Sequence, residues 1–425
     1  MGGKVFSSGE DRLYTPRMPK DVYRAARTYA IACLNGLFVC VSGPLDGPGK
    51  TTWGDIDLFV LWPKVDFISD GDAAWQMKKA MSAVRFQHRS TDLKTCSYAI
   101  HWPDLGSDAE EQCGDFDPNR ERFCQVDVTL CTDIHDFGWK LFLASHGDIW
   151  GILGSIIRPF GLTATDKGLY LRIPEIENKD RKRSMIFLSR DPVEVLNFLG
   201  LDATAEYWHQ PFGSAEDLFE YVTRCRMFHV ADLVPSPFDD DEDEVKAANS
   251  KERRRLCLRP VYRQWIEDFR PSCLNKSEFL RPRTTRERIK REAFDQFRVG
   301  QEFFMRRLAF MNEDIERFLW NKVIKESVPK PTTSNQHIRF HYHLQLQAIK
   351  SVALHNDASY SVRFVSDTEH RRWSDVERVR EFVVQHRETI GREACIRHYQ
   401  NMEKKAEKAK LDAALEVCRR NERPA

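Results

Sequence analysis

Two aspartates interrupt a run of strand-forming residues at Gly54-Asp55-Ile56-Asp57-Leu58-Phe59-Val60. Side chains two apart in a strand point to the same face, so Asp55 and Asp57 sit side by side while Ile56, Leu58 and Val60 form or enter a buried layer. A strand that is apolar on one face and doubly acidic on the other needs a core beneath it and something that offsets the acid above it. Two carboxylates at this spacing repel and raise each other's pKa unless positive charge lies between them, and hard divalent cations take carboxylate oxygens readily. A second apolar run, Phe123 to Cys131, holds Asp127 within Gln125-Val126-Asp127-Val128-Thr129-Leu130. On a neighbouring strand Asp127 becomes a third ligand. The competing expectation is a solvated pair on a strand edge.

The upstream context favours a built site. Leu37-Phe38-Val39-Cys40-Val41 reads as a buried strand, and the turn-rich Ser42-Gly43-Pro44-Leu45-Asp46-Gly47-Pro48-Gly49 leads from it to Asp55. In this order of strand, glycine turn, Asp-Xaa-Asp strand and distant third Asp, the chain resembles the nucleotidyltransferase superfamily of the DNA polymerase beta type. The resemblance covers about the first half of the chain. It extends weakly through Trp139-Lys140-Leu141-Phe142-Leu143-Ala144-Ser145 and Ile149 to Pro159, then Ile186-Phe187-Leu188-Ser189-Arg190-Asp191-Pro192-Val193-Glu194-Val195-Leu196, which are similar to the helices after the palm and the closing segment of the thumb.

What the resemblance implies is metal-dependent nucleotidyl transfer. Asp55, Asp57 and Asp127 would be the catalytic carboxylates and would hold Mg²⁺ or Mn²⁺, with a nucleoside triphosphate bound at Ser42, Gly43, Gly47 and Lys50. The acceptor is a hydroxyl, such as a nucleic acid 3′ end. The family's turn reads Gly-Ser and often carries an arginine shortly after, whereas here the order is Ser42-Gly43 and Leu45-Asp46 follows. That departure keeps a second expectation open, a catalytically degenerate domain that binds nucleotide, RNA or a protein partner. A third is a P-loop nucleotide hydrolase at Gly47-Pro48-Gly49-Lys50-Thr51-Thr52. Its spacing requires glycine at Pro44, with Gly43 one position early, and a helix at Lys50-Thr51 where Trp53 to Val60 reads as strand.

With 425 residues the chain has length for two or three domains, and 41% hydrophobic against 30% charged residues is a globular balance with no membrane-spanning apolar run. Met1-Gly2-Gly3-Lys4 starts no secretory segment, so the expectation is an intracellular protein, cytoplasmic or nuclear. Eleven cysteines lack a Cys-Xaa-Xaa-Cys pair, and Cys40, Cys124 and Cys131 lie in apolar runs, which reads as reduced thiols. Net charge of +1 hides segregation: an acidic run at Asp239 to Glu244 precedes a basic segment, 251–298. Such runs are commonly solvated linkers and helix faces, and the alternative is a DNA- or RNA-binding face.

The expected fold is α+β: a polymerase beta-like palm with a mixed sheet and helices, then a largely helical C-terminal region. Segments 1–160 would form the palm-like domain, 161–235 a thumb-like α/β subdomain, 236–255 a linker, 256–330 a helical domain and 331–425 an α/β or helical end. Pro19 to Leu34 and Ala73 to Val84 have helical spacing, Tyr98 to Trp102 reads as a short strand, and Thr285 to Val328 carries apolar residues at long helical spacing. His341 and His343 fall on one face of a short strand, but no cysteine or carboxylate at ligand spacing completes a zinc site there.

Overall fold

A five-stranded mixed sheet and the helices on its faces organise the first part of the chain. The computed structural model describes residues 3–8, 11–89, 92–105, 120–204, 208–230, 256, 258–281, 283–365 and 375–421. It comprises two units, Met1–Gln301 and Glu302–Ala425. The first opens with β1 (Met18–Pro19), α1 (Lys20–Asn35), β2 (Phe38–Ser42), β3 (Thr52–Trp53) and β4 (Ile56–Pro63). Then come α2 (Asp70–Ala80), β5 (Arg85–Arg89), β6 (Asp92–His101) and β7 (Phe123–Leu130). The strand order is β2-β4-β7-β6-β5, with β4 and β7 parallel and the other pairs antiparallel.

One face of this sheet is the core. Val22, Tyr23, Ala26, Ala30 and Leu34 recur at helical spacing along α1, and all are buried. They pack with Ile56, Leu58 and Val60 of β4, Val126 and Val128 of β7, and Ala73, Ala74 and Met77 of α2. Ser69 caps α2 by accepting from the Asp72 amide at 3.2 Å, which satisfies one of the helix's unpaired N–H groups.

The other face is covered at one end. Helix α3 (Ile134–Ala144) sets Phe137 and Leu141 against Phe59, Leu61 and Cys131. Helix α4 (Ile149–Ile157) follows, then an antiparallel sheet of β8 (Leu162–Thr165), β9 (Gly168–Arg172) and β10 (Met185–Ser189) in the order β10-β9-β8. α5 (Pro192–Leu199), α6 (Ala215–Thr223) and α7 (Arg286–Phe297) complete the helices that matter here.

The second unit is helical among its described residues. α8 (Gly300–Phe318) leads into it, and α9 (Gln336–His355) and α10 (Val376–Asn421) share a core of Leu319, Val323, Ile349, Val352, Val379, Val383 and Ile390 with the π-helical segment Leu319–Ile324 after α8. The short strand expected around His341 and His343 is instead part of α9. Two positions along a helix turn the side chains to different sides, and His341 Nε2 lies 3.0 Å from the Tyr399 hydroxyl. The short strand expected at Tyr98 to Trp102 is the ten-residue β6, partnered by β5. The acidic run 239–244 lies outside the described residues. No helix among those described is long and apolar enough to cross a membrane.

Candidate functional site

The sheet registers two of the aspartates against each other. Asp57 of β4 is the Cα partner of Asp127 of β7, flanked by the apolar pairs Ile56 with Val126 and Leu58 with Val128 on the core face. Asp55 lies just before β4, and Ser97 of β6 is the partner of Asp127 on its other side. Asp127 is 3% exposed, accepts from Gln125 Nε2 at 2.9 Å and lies 3.7 Å from an Arg89 Nη2. Gln125 is fixed in turn, since its Oε1 accepts from the Val5 amide at 3.1 Å.

Their electrostatics follow from this crowding. Water reaches Asp57, yet protein encloses it closely enough that burial pushes its carboxyl up to about 7, with the neighbouring charges of Asp55 and then Asp127 adding to the shift. Asp55 is raised as well, by burial first and Asp127 second, against an opposing pull from Lys50. Among the described residues no three His, Cys, Asp or Glu side chains already close on one point as an ion cage. The donor set nevertheless fits a small hard cation: Mg²⁺ commonly keeps several waters and binds through one or two carboxylates plus substrate phosphates, and these carboxylates need positive charge.

The Ser42-Gly43 turn runs alongside them. Ser42 pairs with Phe59 in the β2–β4 ladder. At Gly43 a β-carbon would meet the Asp57 carbonyl oxygen at 2.8 Å and the Arg27 guanidinium at 3.0 Å, so this backbone approach needs glycine. Arg27 Nη2 donates to the Gly43 carbonyl at 3.0 Å. Further along, a β-carbon on Gly47 would meet Gly147 Cα at 3.1 Å; Leu45 donates to Ser145 Oγ at 3.2 Å, and its carbonyl accepts from the His146 amide at 2.9 Å. Asp46 accepts from Lys50 Nζ at 3.1 Å and Trp53 Nε1 at 2.7 Å. Lys50 is thus held by Asp46, and the chain enters β3 where a P-loop would begin its helix.

A cavity of about 890 Å³ continues the acidic face. Phe59, Thr129 and Thr95 line it, and each is two residues along its strand from Asp57, Asp127 and Ser97 in turn. Arg89, Lys94, Lys140, Lys167 and Arg190 surround it. Sequence reasoning missed these five, because they come from five separate elements and form no run; only the fold brings them to one cavity. In the basic segment 251–298, by contrast, Arg259 pairs with Asp148 at 2.9 Å, Arg286 with Glu177 at 2.9 Å and Arg288 with Glu292 at 2.8 Å, while residues 251–255 lie outside the described residues.

Comparison of the chain with protein-family models and with curated proteins finds no match.

Proposed function

We propose that this chain transfers a nucleoside monophosphate from a nucleoside triphosphate to a hydroxyl acceptor, using Asp55, Asp57 and Asp127. The observation that supports it best is the register pairing of Asp57 with Asp127 beside the Ser42-Gly43 turn, in the order of elements by which the chain resembles polymerase beta-type nucleotidyltransferases. The three carboxylates would hold Mg²⁺ or Mn²⁺, which when bound polarises phosphoryl oxygens and offsets the charge of the leaving pyrophosphate. Asp127, buried and held by Gln125, is the fixed member that would take the proton of the acceptor hydroxyl. Asp57, at about 7, would need positive charge beside it to stay ionised. The chain's contribution is then orientation and preorganised charge.

Incubating the protein with each labelled nucleoside triphosphate, Mg²⁺ or Mn²⁺ and pooled RNA and DNA acceptors, alongside Asp55→Ala and Asp127→Ala, tests this. Transfer lost in both variants supports the reading; transfer unaffected by either removes it. One observation favours a second reading, binding without turnover: the cation of the turn, Lys50, is engaged by Asp46. Metal-dependent nucleotide binding with no transfer to any acceptor would select it.

A further inference from the structure

The cavity beside Asp127 has a charge balance that the aspartates do not explain. Five cationic side chains line it, Arg89, Lys94, Lys140, Lys167 and Arg190, against the carboxylates of Asp136 and Asp166. Three of the cations are partly offset by the chain itself: Lys140 pairs with Asp136 at 3.0 Å, Arg190 with Asp133 at 3.2 Å and Arg89 with Asp127 at 3.7 Å. Gathering like charge around a concave, partly walled volume raises a positive potential that an anion relieves. The volume is that of a pocket for a molecule of nucleotide size. Phe59, Leu143 and Ala144 supply apolar wall, and Thr95 and Thr129, whose hydroxyls lie 3.1 Å apart, supply polar groups on the sheet floor.

The position is as informative as the charge. Strand geometry sets the cavity's floor about 7 Å from the aspartates on the same face, two residues along β4, β6 and β7. Arg89 joins the two, with its guanidinium 3.7 Å from Asp127 Oδ2 while it also lines the cavity. The Ser42-Gly43 turn and Lys50 lie instead by Asp57 and Asp55.

We propose that this cavity seats the phosphate of a phosphorylated acceptor of nucleotide size and so presents its hydroxyl to Asp127; the word acceptor rests on the transfer reading above, and the phosphate site does not. Lys167, exposed in the β8–β9 turn, and Arg190, just after β10, would grip the phosphate from one side, with Arg89 and Lys94 on the other. Charge-assisted hydrogen bonds to phosphate are the strong ones, so one lost cation is expected to weaken binding about tenfold or more.

Binding is measured directly by fluorescence anisotropy of a labelled short single-stranded oligonucleotide, without divalent metal, and by competition with tripolyphosphate. Wild type, Lys167→Glu and Lys79→Glu are compared; Lys79 is exposed on α2, on the opposite face of the sheet, and controls for net charge. The expected result is salt-sensitive binding that Lys167→Glu weakens about tenfold and Lys79→Glu leaves near the wild-type value. Competition by tripolyphosphate as strong as by unlabelled oligonucleotide assigns the site to free phosphate groups, and weak competition assigns it to a phosphodiester strand; both support the phosphate site. Equal weakening by the two variants, or no binding of either probe, overturns it. The same titration in Asp57→Asn separates the two proposals. Oligonucleotide binding that persists where transfer is never found sinks the transfer reading alone, and aspartate-dependent transfer with no cavity binding sinks this one alone.

Discussion

Asp57 and Asp127 are register partners across the parallel strands β4 and β7, so the backbone ladder itself holds two carboxylates side by side. With Asp55 in front of them, the fold keeps acid where burial disfavours charge. Such an arrangement carries a free-energy cost that positive charge placed beside the carboxylates would offset.

That cost gives a pH signature. The folded-state value of Asp57 is about 7 against an ordinary 3.8, so the folded protein binds a proton that the unfolded chain has released. Stability from this group is therefore present below about pH 4 and is lost as pH rises toward 7. In chelator the melting temperature of Asp57→Asn should exceed that of wild type at pH 8, and the difference should vanish near pH 4. Mg²⁺ or Mn²⁺ at pH 8 should raise the wild-type melting temperature and leave Asp57→Asn nearly unmoved. A wild-type value indifferent to both ions at pH 8 would count against the acidic centre as a cation site.

His146 has the opposite sign. It is fully buried, its two ring nitrogens have no hydrogen-bond partner among the described residues, and its ring meets Trp208 and Phe212 edge-on at 4.8 and 5.0 Å. Burial pushes it down to about 4 from 6.5, so the unfolded chain binds the extra proton and stability is lost as pH falls from 6.5 toward 4. The full shift corresponds to about 3 kcal/mol. His146→Phe should flatten the fall in denaturant midpoint between pH 6.5 and 4.5; an unchanged slope would show that other groups dominate it.

The acidic centre was legible because its pattern is local. Ile56, Leu58, Val126 and Val128 alternate with Asp57 and Asp127, so the period-two spacing by itself separates the buried face from the acidic one. The cavity cations were not legible in that way. Arg89 closes a strand, Arg85 to Arg89, that has one aromatic and no aliphatic residue, and Lys140, Lys167 and Arg190 reach the site from α3, the β8–β9 turn and the end of β10. Only tertiary packing brings them together. The histidines of α9 misled for a related reason: Phe340, Tyr342 and Leu344 alternate with polar residues over a window too short to separate a strand from a helix, and the packing of Leu346, Ile349 and Val352 decides for helix.

Gly43 makes the turn sensitive to a single methyl group. A β-carbon there would sit 2.8 Å from the Asp57 carbonyl and 3.0 Å from Arg27, and the first of these is backbone that cannot swing aside. Gly43→Ala should cost about 1–3 kcal/mol as overpacking and should weaken the cation-dependent rise in melting temperature, because relief displaces the strand that carries Asp57. Gly49→Ala is the contrast. Among the described residues no atom lies within 4 Å of a β-carbon there, but φ of +69° costs about 1 kcal/mol through the backbone alone, and the cation response should survive. Equal losses of the cation response would argue that the turn does not act through Asp57.

Lys50 decides whether the turn cradles phosphate or only clasps itself. Its ammonium lies 3.1 Å from Asp46, whose carboxylate also accepts from Trp53 Nε1, yet its charge still pulls the pKa values of Asp55 and Asp57 down. Its side chain is 43% exposed, so the pair is weak, about 1 kcal/mol or less, and a triphosphate carrying more negative charge could draw the ammonium away. Asp46→Asn keeps an acceptor for Trp53 while removing the competing charge. If Lys50 serves the triphosphate, Asp46→Asn should tighten nucleotide binding several-fold in isothermal titration, and Lys50→Met should weaken it in both backgrounds. If Asp46 and Lys50 only brace the turn, Asp46→Asn should instead lower the melting temperature and leave nucleotide affinity unchanged. The two results move different observables, so a single pair of variants separates a phosphate cradle from a structural clasp.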